Sequence, residues 1–327
     1  MGKYKKHTKH KKHKQHTKHT KHKKHKQHTH KTSPNGFILF AQYARHTTQK
    51  IMVMLQKKVC PELGKGTYNT VYKVPFLNLV YRTPNGPLTN ADVQERETLR
   101  AIVAGLQNDP NGTHLLCLPI LSQSMIQQVV PRWTIKFYPR CNGDLTKMAQ
   151  SKPPFDQLRQ VLIDMLQGVL LLHRIGFGHF DIKPDNVMIR YDTTLQRIVY
   201  QLADFGHSGR FGCPNTMGYR GTPGYRPKEH EIEEGGDNDV LLSPPADAHA
   251  IAVFILVMAF GKYLPPDQWE EMYLLVDDWK ANKHRVRSQL LNLGWTTVIV
   301  DAVLKGLSDM PGRRTTVEEY MKLFRSA

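Results

Sequence analysis

The first 32 residues contain neither aspartate nor glutamate. They hold thirteen lysines and nine histidines, a composition that repels itself and has nothing to bury, so residues 1–33 are predicted to be a disordered tail. Cysteine is also scarce. The four present, Cys60, Cys117, Cys141 and Cys213, form no CxxC pair. That argues against a zinc ribbon or a disulfide framework and predicts a reducing, intracellular setting, nucleus or cytoplasm. No apolar run reaches membrane-spanning length; the longest, 250–260, has eleven residues and predicts a buried core helix. An apolar stretch near the start is missing too, so no secretory signal peptide is expected.

The net charge of +18 is unevenly spread. Thirteen of the 46 Lys+Arg lie in the tail, which leaves 33 against 28 Asp+Glu in a nearly balanced body. Histidine recurs every third residue from His7 to His28, and the block at 9–17 repeats at 21–29. Such a polycation is expected to contact polyanions, nucleic acid or acidic protein, through residues 1–32, or to act as a nuclear-targeting signal. Its imidazoles leave two other readings open, a loose metal binder and a pH-responsive element. Residues 34–57 form an N-terminal extension whose two apolar stretches fit either a strand or a helix.

The body carries a series of local patterns. Leu63-Gly64-Lys65-Gly66-Thr67-Tyr68-Asn69-Thr70-Val71 reads as strand, tight turn and strand, with glycines that let backbone amides approach phosphates. Residues 90–104 have helical spacing. Residues 134–137 read as a strand, and residues 156–175 as a strongly amphipathic helix stopped at Gly176. Next come His179-Phe180-Asp181-Ile182-Lys183-Pro184-Asp185-Asn186 and, eighteen residues past Asn186, Asp204-Phe205-Gly206. Later the chain has Gly221-Thr222-Pro223-Gly224-Tyr225-Arg226-Pro227-Lys228-Glu229 and Asp309-Met310-Pro311-Gly312-Arg313.

Together these motifs resemble those of a eukaryotic-type protein kinase of the serine/threonine class. The resemblance implies an α+β, bilobal protein-kinase fold over 58–327: a small antiparallel β-sheet N-lobe with one helix (58–137), a hinge (138–141) and a larger, mainly helical C-lobe (142–327). It also implies ATP and Mg2+ as cofactors and a protein substrate. Asp181 is expected to act as base and Lys183 to neutralise the transferring phosphoryl group, with Asn186 and Asp204 holding magnesium. Leu63, Gly64, Gly66 and Val71 are expected to cover the nucleotide. Tyr138 and Arg140 should line the hinge, behind which Phe137 guards the pocket, and Asp144 should meet the ribose or cap a helix.

Arg82 stands where the family places its phosphate-binding lysine, with Lys65 or Lys73 as substitutes. Glu95 is expected to pair with that cation, and Glu97 is the alternative. The resemblance further implies that Thr222 bonds Asp181 and Lys183, that Asp247 braces the catalytic loop, and that Glu229 pairs with Arg313. Phe180 replaces an arginine that usually meets a phosphate on the activation segment, which implies that phosphorylation there is not the main switch. Two functions follow: an active protein serine/threonine kinase, or a pseudokinase acting as a nucleotide-binding or scaffolding module because of Arg82.

Overall fold

The structure, a computed structural model, describes residues 60–65, 69–75, 78–87, 89–106, 114–119, 136–216, 219–231, 240–265 and 267–327. The tail, the extension at 34–57 and Gly66 lie outside the described residues.

The first part is a four-stranded antiparallel sheet in the order β1 (Glu62–Lys65), β2 (Asn69–Lys73), β3 (Leu79–Pro84) and β4, reached after helix α1 (Asn90–Leu106). Strand β4 is described over Lys136–Pro139 and runs two residues past the end that the sequence pattern suggests, so Tyr138 and Pro139 of the expected hinge are still in strand. Side chains alternate between the two faces of a sheet, and directly paired residues share one. Tyr72, Tyr81 and Phe137 are paired in register and stack on one face, with ring centroids 5.0 and 5.8 Å apart. Val71, Arg82 and Lys136 form the adjacent row on the other face, with Val80 and Tyr138 two residues along. Phe137 therefore lies opposite the face that carries Arg82, and Tyr138 takes the inward position expected of it.

The second part opens with β5 (Gly143–Asp144) and two helices, α2 (Thr146–Gln150) and α3 (Phe155–Arg174). Helix α3 buries Leu158, Val161, Leu162, Met165, Leu166, Val169 and Leu172 along one stripe, as 3.6-residue spacing requires. The same face buries Asp164, which is held by two bonds from Arg197, at 2.7 and 3.0 Å, so its charge is not left uncompensated. Short strands follow: β6 (Phe177–Gly178), β7 (Val187–Asp192), β8 (Arg197–Leu202) and β9 (Gly209–Arg210). Strands β5, β7 and β8 make a three-stranded sheet, and β6 pairs with β9. The turn between β6 and β7 carries residues 179–186, and β8 delivers Asp204. These hairpins are what bring two distant motifs together.

Helix α4 (Pro244–Phe260) is buried all round from Ala246 to Ala259, as its unbroken apolar run demands. It stops at Gly261, whose φ of +64° suits glycine. Helices α5 (Trp269–Ala281), α6 (Lys283–Asn292), α7 (Thr297–Gly306) and α8 (Val317–Ser326) complete the core, the last opened by a capping box between Thr316 and Glu319.

Within α4, His249 is buried with Nδ1 3.2 Å from the carbonyl of Tyr225. Burial, reinforced by Lys280 and Arg314, lowers its pKa to about 3; His230 is lowered to about 4, again chiefly by burial. Both are neutral when folded, whereas an unfolded histidine takes a proton near pH 6.5. The unfolded state thus binds more protons on acidification. The contribution of these residues to stability is complete above about pH 6.5 and is lost as pH falls towards their folded values. Between pH 6.5 and 5 the loss is about 2 kcal/mol per histidine. Urea unfolding at several pH values should show this decline, and His249→Gln should lessen it; a flat profile from pH 7 to 5 contradicts the assignment.

Candidate active site

Asp181 is buried and fully engaged. Its Oδ1 accepts from the Thr222 amide at 2.9 Å and the Thr222 hydroxyl at 2.6 Å, and its Oδ2 accepts from Asn186 Nδ2 at 2.7 Å. Lys183 Nζ lies 3.2 Å from Oδ2 and donates to the Thr222 hydroxyl. Burial opposes ionisation here, but Lys183, His207 and the Thr222 hydroxyl outweigh it and hold the carboxyl well below the ordinary range. Asp181 is thus a carboxylate at neutral pH, and Lys183, pushed up by the same pair against its own burial, is an ammonium.

The loop is held by a second buried carboxylate. Asp247 accepts from the amide of His179 at 2.9 Å, from the amide of Phe180 at 2.7 Å, and from His173 Nε2 at 2.9 Å. Two amides of a tight loop would otherwise be buried without partners. Phe180 has φ of +61°, uncommon for a bulky side chain, and its amide bond to Asp247 holds that conformation. His179 Nε2 faces the carbonyl of Ala203 at 2.9 Å, and the Asp181 amide donates to Nδ1 at 3.3 Å. One neutral tautomer satisfies both, and burial lowers the pKa of His179 accordingly. The residue ties the Asp181 loop to the strand end that presents Asp204.

Asp204 has φ of +62° and lies 3.5 Å from Arg82 Nη1. Burial resists its charge, but Arg82 draws its pKa down. Asn186 uses its amide nitrogen on the carbonyl and carboxylate of Asp181, which leaves its amide oxygen as an acceptor. Glu95 points inward from α1, while Glu97 is exposed, which decides between the two alternatives for position. Arg82 Nη1 is 3.9 Å from Glu95 Oε1. Lys136 Nζ makes the closer contact, on Oε2. Among the described residues, Arg82 and Lys136 are the cations that meet Glu95. Lys65 is exposed on β1, and Lys73 sits at the far end of β2 opposite Val80.

The remaining candidates form the rim. Leu63 and Gly64 lie on the exposed β1, and Val71 is paired with Arg82. Tyr138 faces the Arg82 side, its phenol raised first by burial and then by Glu95 and Asp204, with Arg82 opposing. Arg140 is exposed and donates its amide to Asn78 O at 3.0 Å. Asp144 accepts from the Thr146 amide at 3.0 Å and hydroxyl at 2.6 Å, which secures the start of α2.

One expected pair is corrected. Glu229 meets Arg314, not Arg313: Nη2 donates to Oε2 at 2.8 Å, and Nη1 bonds Oε1. Residues Pro311–Arg313 form a 3-10 turn that leaves Arg313 exposed, and extended backbone at Arg314 sends the next side chain inward. Three groups were missed from sequence: Lys136, Arg314 and Arg220. For Lys136 the available signal was a lone lysine between apolar neighbours in an expected strand. Arg220 is buried, donates to the carbonyls of His207 and Ser208 and to Asn215 Oδ1, and lies 5.7 Å over the Phe180 ring. Burial lowers its pKa to about 10.

A strand-rich part and a helical part joined by a short link define a two-part α+β fold, with a buried acid, a half-buried lysine and a buried amide on one loop and a second acid on the next. The chain belongs to the protein kinase family, whose model, described as protein kinase domain, matches residues 135–322. That span contains Asp181, Lys183, Asn186 and Asp204; β1 to β3 and α1 precede it. Among curated proteins the chain is similar to the serine/threonine-protein kinase Kist of Mus musculus, 25% identical over 170 residues, which is 47% of this chain and 37% of that protein. It is also similar to the calcium/calmodulin-dependent protein kinase kinase cmkC of Emericella nidulans, 30% identical over 160 residues (48% and 28%). A third is the probable serine/threonine-protein kinase fhkE of Dictyostelium discoideum, 30% identical over 118 residues (36% and 16%). The chain thus spans well under half the length of these relatives.

Proposed function

We propose that the protein is an ATP-dependent protein serine/threonine kinase that transfers the γ-phosphate of ATP to a protein hydroxyl. The observation that carries this is the Asp181 cluster. A carboxylate kept ionised and aimed by Thr222 and Asn186 is suited to accept or orient the proton of an attacking hydroxyl. Lys183, an ammonium beside it, is placed to offset charge on the group in transfer. Asn186 and Asp204 offer hard oxygen donors of the kind magnesium takes. Bound there, the metal would neutralise phosphate charge. The neighbouring Arg82 supports nucleotide binding rather than excluding it, because its charge stays among the acids of the same face. Transfer of labelled phosphate from ATP by the wild type but not by Asp181→Asn tests the reading.

Within the activation segment Arg220 bonds the carbonyls of His207 and Ser208. Arg220 does from within the segment what an arginine on the loop and a phosphate would do together. Phosphatase treatment is therefore expected to leave transfer unchanged. Arg220→Met should strand two carbonyls at about 1–3 kcal/mol each and open the segment after His207 to limited proteolysis. Loss of transfer after phosphatase treatment contradicts this.

The lysine-rich residues 1–32 are proposed to bind polyanions without sequence preference. Deleting them should abolish retention on a heparin column at low salt, and unchanged retention contradicts the proposal.

A further inference from the structure

The inner face of the sheet carries two cations side by side. Arg82 and Lys136 are direct partners across β3 and β4, so their side chains leave the same face. Both are largely buried, 21% and 14% exposed. Like charges set opposite one another destabilise a sheet unless something offsets them. Here two acids do so, and unequally. Glu95 of α1 makes its close contact with Lys136 and a longer one, 3.9 Å, with Arg82. Arg82 lies nearer to Asp204, at 3.5 Å.

The chemistry of the two side chains fits that partition. Lysine is a compact charge on a flexible stem and can close on a single carboxylate oxygen. Arginine presents a rigid fork suited to phosphate oxygens. A lone arginine at 82 would have to divide its donors between Glu95, which holds α1, and the phosphates. With Glu95 taken by Lys136, the fork is released toward Asp204, the acid it must give up when phosphates arrive.

We propose that the two roles are divided: Lys136 is a positioning residue that holds α1 to the sheet through Glu95, and Arg82, left with only the longer contact to Glu95, binds the nucleotide phosphates. This rests on the kinase reading above and adds to it a residue from the neighbouring strand.

The test uses the full chain and compares the affinities for ATP with magnesium and for adenosine, which has no phosphates. The wild type should bind ATP at least about tenfold more tightly than adenosine, an advantage of about 1.4 kcal/mol. Arg82→Met should bring that ratio close to one while adenosine affinity holds. Lys136→Met should keep most of the ratio but lower kcat about tenfold with little change in KM for ATP. Lys136→Arg should recover much of that kcat, and adding Glu95→Gln to Lys136→Met should cost little more, because the two residues act as one unit.

Loss of the ATP advantage in Lys136→Met with its retention in Arg82→Met would reverse the roles and overturn the proposal. So would strictly additive effects of Lys136→Met and Glu95→Gln, or a wild type that binds ATP no better than adenosine. If the wild type binds ATP but transfers nothing, the kinase reading fails, while the affinity ratios of Arg82→Met and Lys136→Met still decide which cation serves the phosphates.

Discussion

Asp181→Asn should lower phosphate transfer by about a hundred- to ten-thousandfold, the range a positioned proton acceptor contributes. The substitution keeps the volume of the side chain and the acceptor that faces Thr222, so the loop has little reason to move. What changes is charge and polarity. The amide nitrogen would face Asn186 Nδ2, itself a donor, and Lys183 would lose its carboxylate at 3.2 Å. ATP affinity should change much less than turnover, since Asp181 is assigned to the hydroxyl and not to the nucleotide. The pH behaviour follows the same logic. The folded pKa lies below the ordinary carboxylate value, so the ionised form is present throughout the neutral range and is lost only in strong acid. An acid limb in turnover between pH 5 and 8 would belong to another group. Steady-state kinetics on the variant check this, and retention of more than about a tenth of wild-type turnover would remove Asp181 from the chemistry.

Arg314→Met should be strongly destabilising, at about 3–5 kcal/mol. Arg314 is almost fully buried. Besides pairing with Glu229, it donates to the carbonyl of Ser308 at 2.7 Å and to that of Pro245 at 3.0 Å. Removing it leaves a carboxylate and two carbonyls without their donor, and the carboxylate sits at the end of the activation segment. Arg313→Met, one residue earlier and exposed, should stay within about 0.5 kcal/mol of the wild type. Thermal unfolding of the two variants side by side separates the assignments. Equal effects, or a larger loss at Arg313, would return the pair to the arginine that spacing alone favours.

That contrast shows what could be read from the chain. The Asp181 loop was legible because its groups lie within eight residues, and the chemistry of each depends on short-range geometry. Glu95 was legible from helical spacing, with Leu99 and Ile102 on the same side, and burial then separates it from Glu97. Asp247 could be placed from the resemblance, as the acid that opens the apolar helix, and the amides of His179 and Phe180 are its buried donors. Arg314 was not legible. Which of two adjacent arginines turns inward depends on the backbone after a 3-10 turn, and composition carries no trace of that. Lys136 was missed, and Phe137 was set on the wrong face, for a related reason: a strand assigns faces by parity, so a small uncertainty about its register leaves every inward position undecided. Arg220 lacks any local pattern, since its partners are carbonyls and Asn215.

The same parity bears on the choice between an active kinase and a nucleotide-binding scaffold. From sequence, Arg82 stood alone in the place of a lysine. In the fold it has Lys136 beside it and the acids Glu95 and Asp204 around it, and the proposed division of roles would leave its charge to the phosphates.

The central claim is tested most directly by incubating the full-length protein with γ-labelled ATP, magnesium and a serine- and threonine-containing acceptor protein, then analysing the labelled amino acids. The account predicts label on serine or threonine in the wild type and at least about a hundredfold less in Asp181→Asn. ATP binding by the wild type with no transfer to any acceptor, or equal label from both proteins, would contradict it.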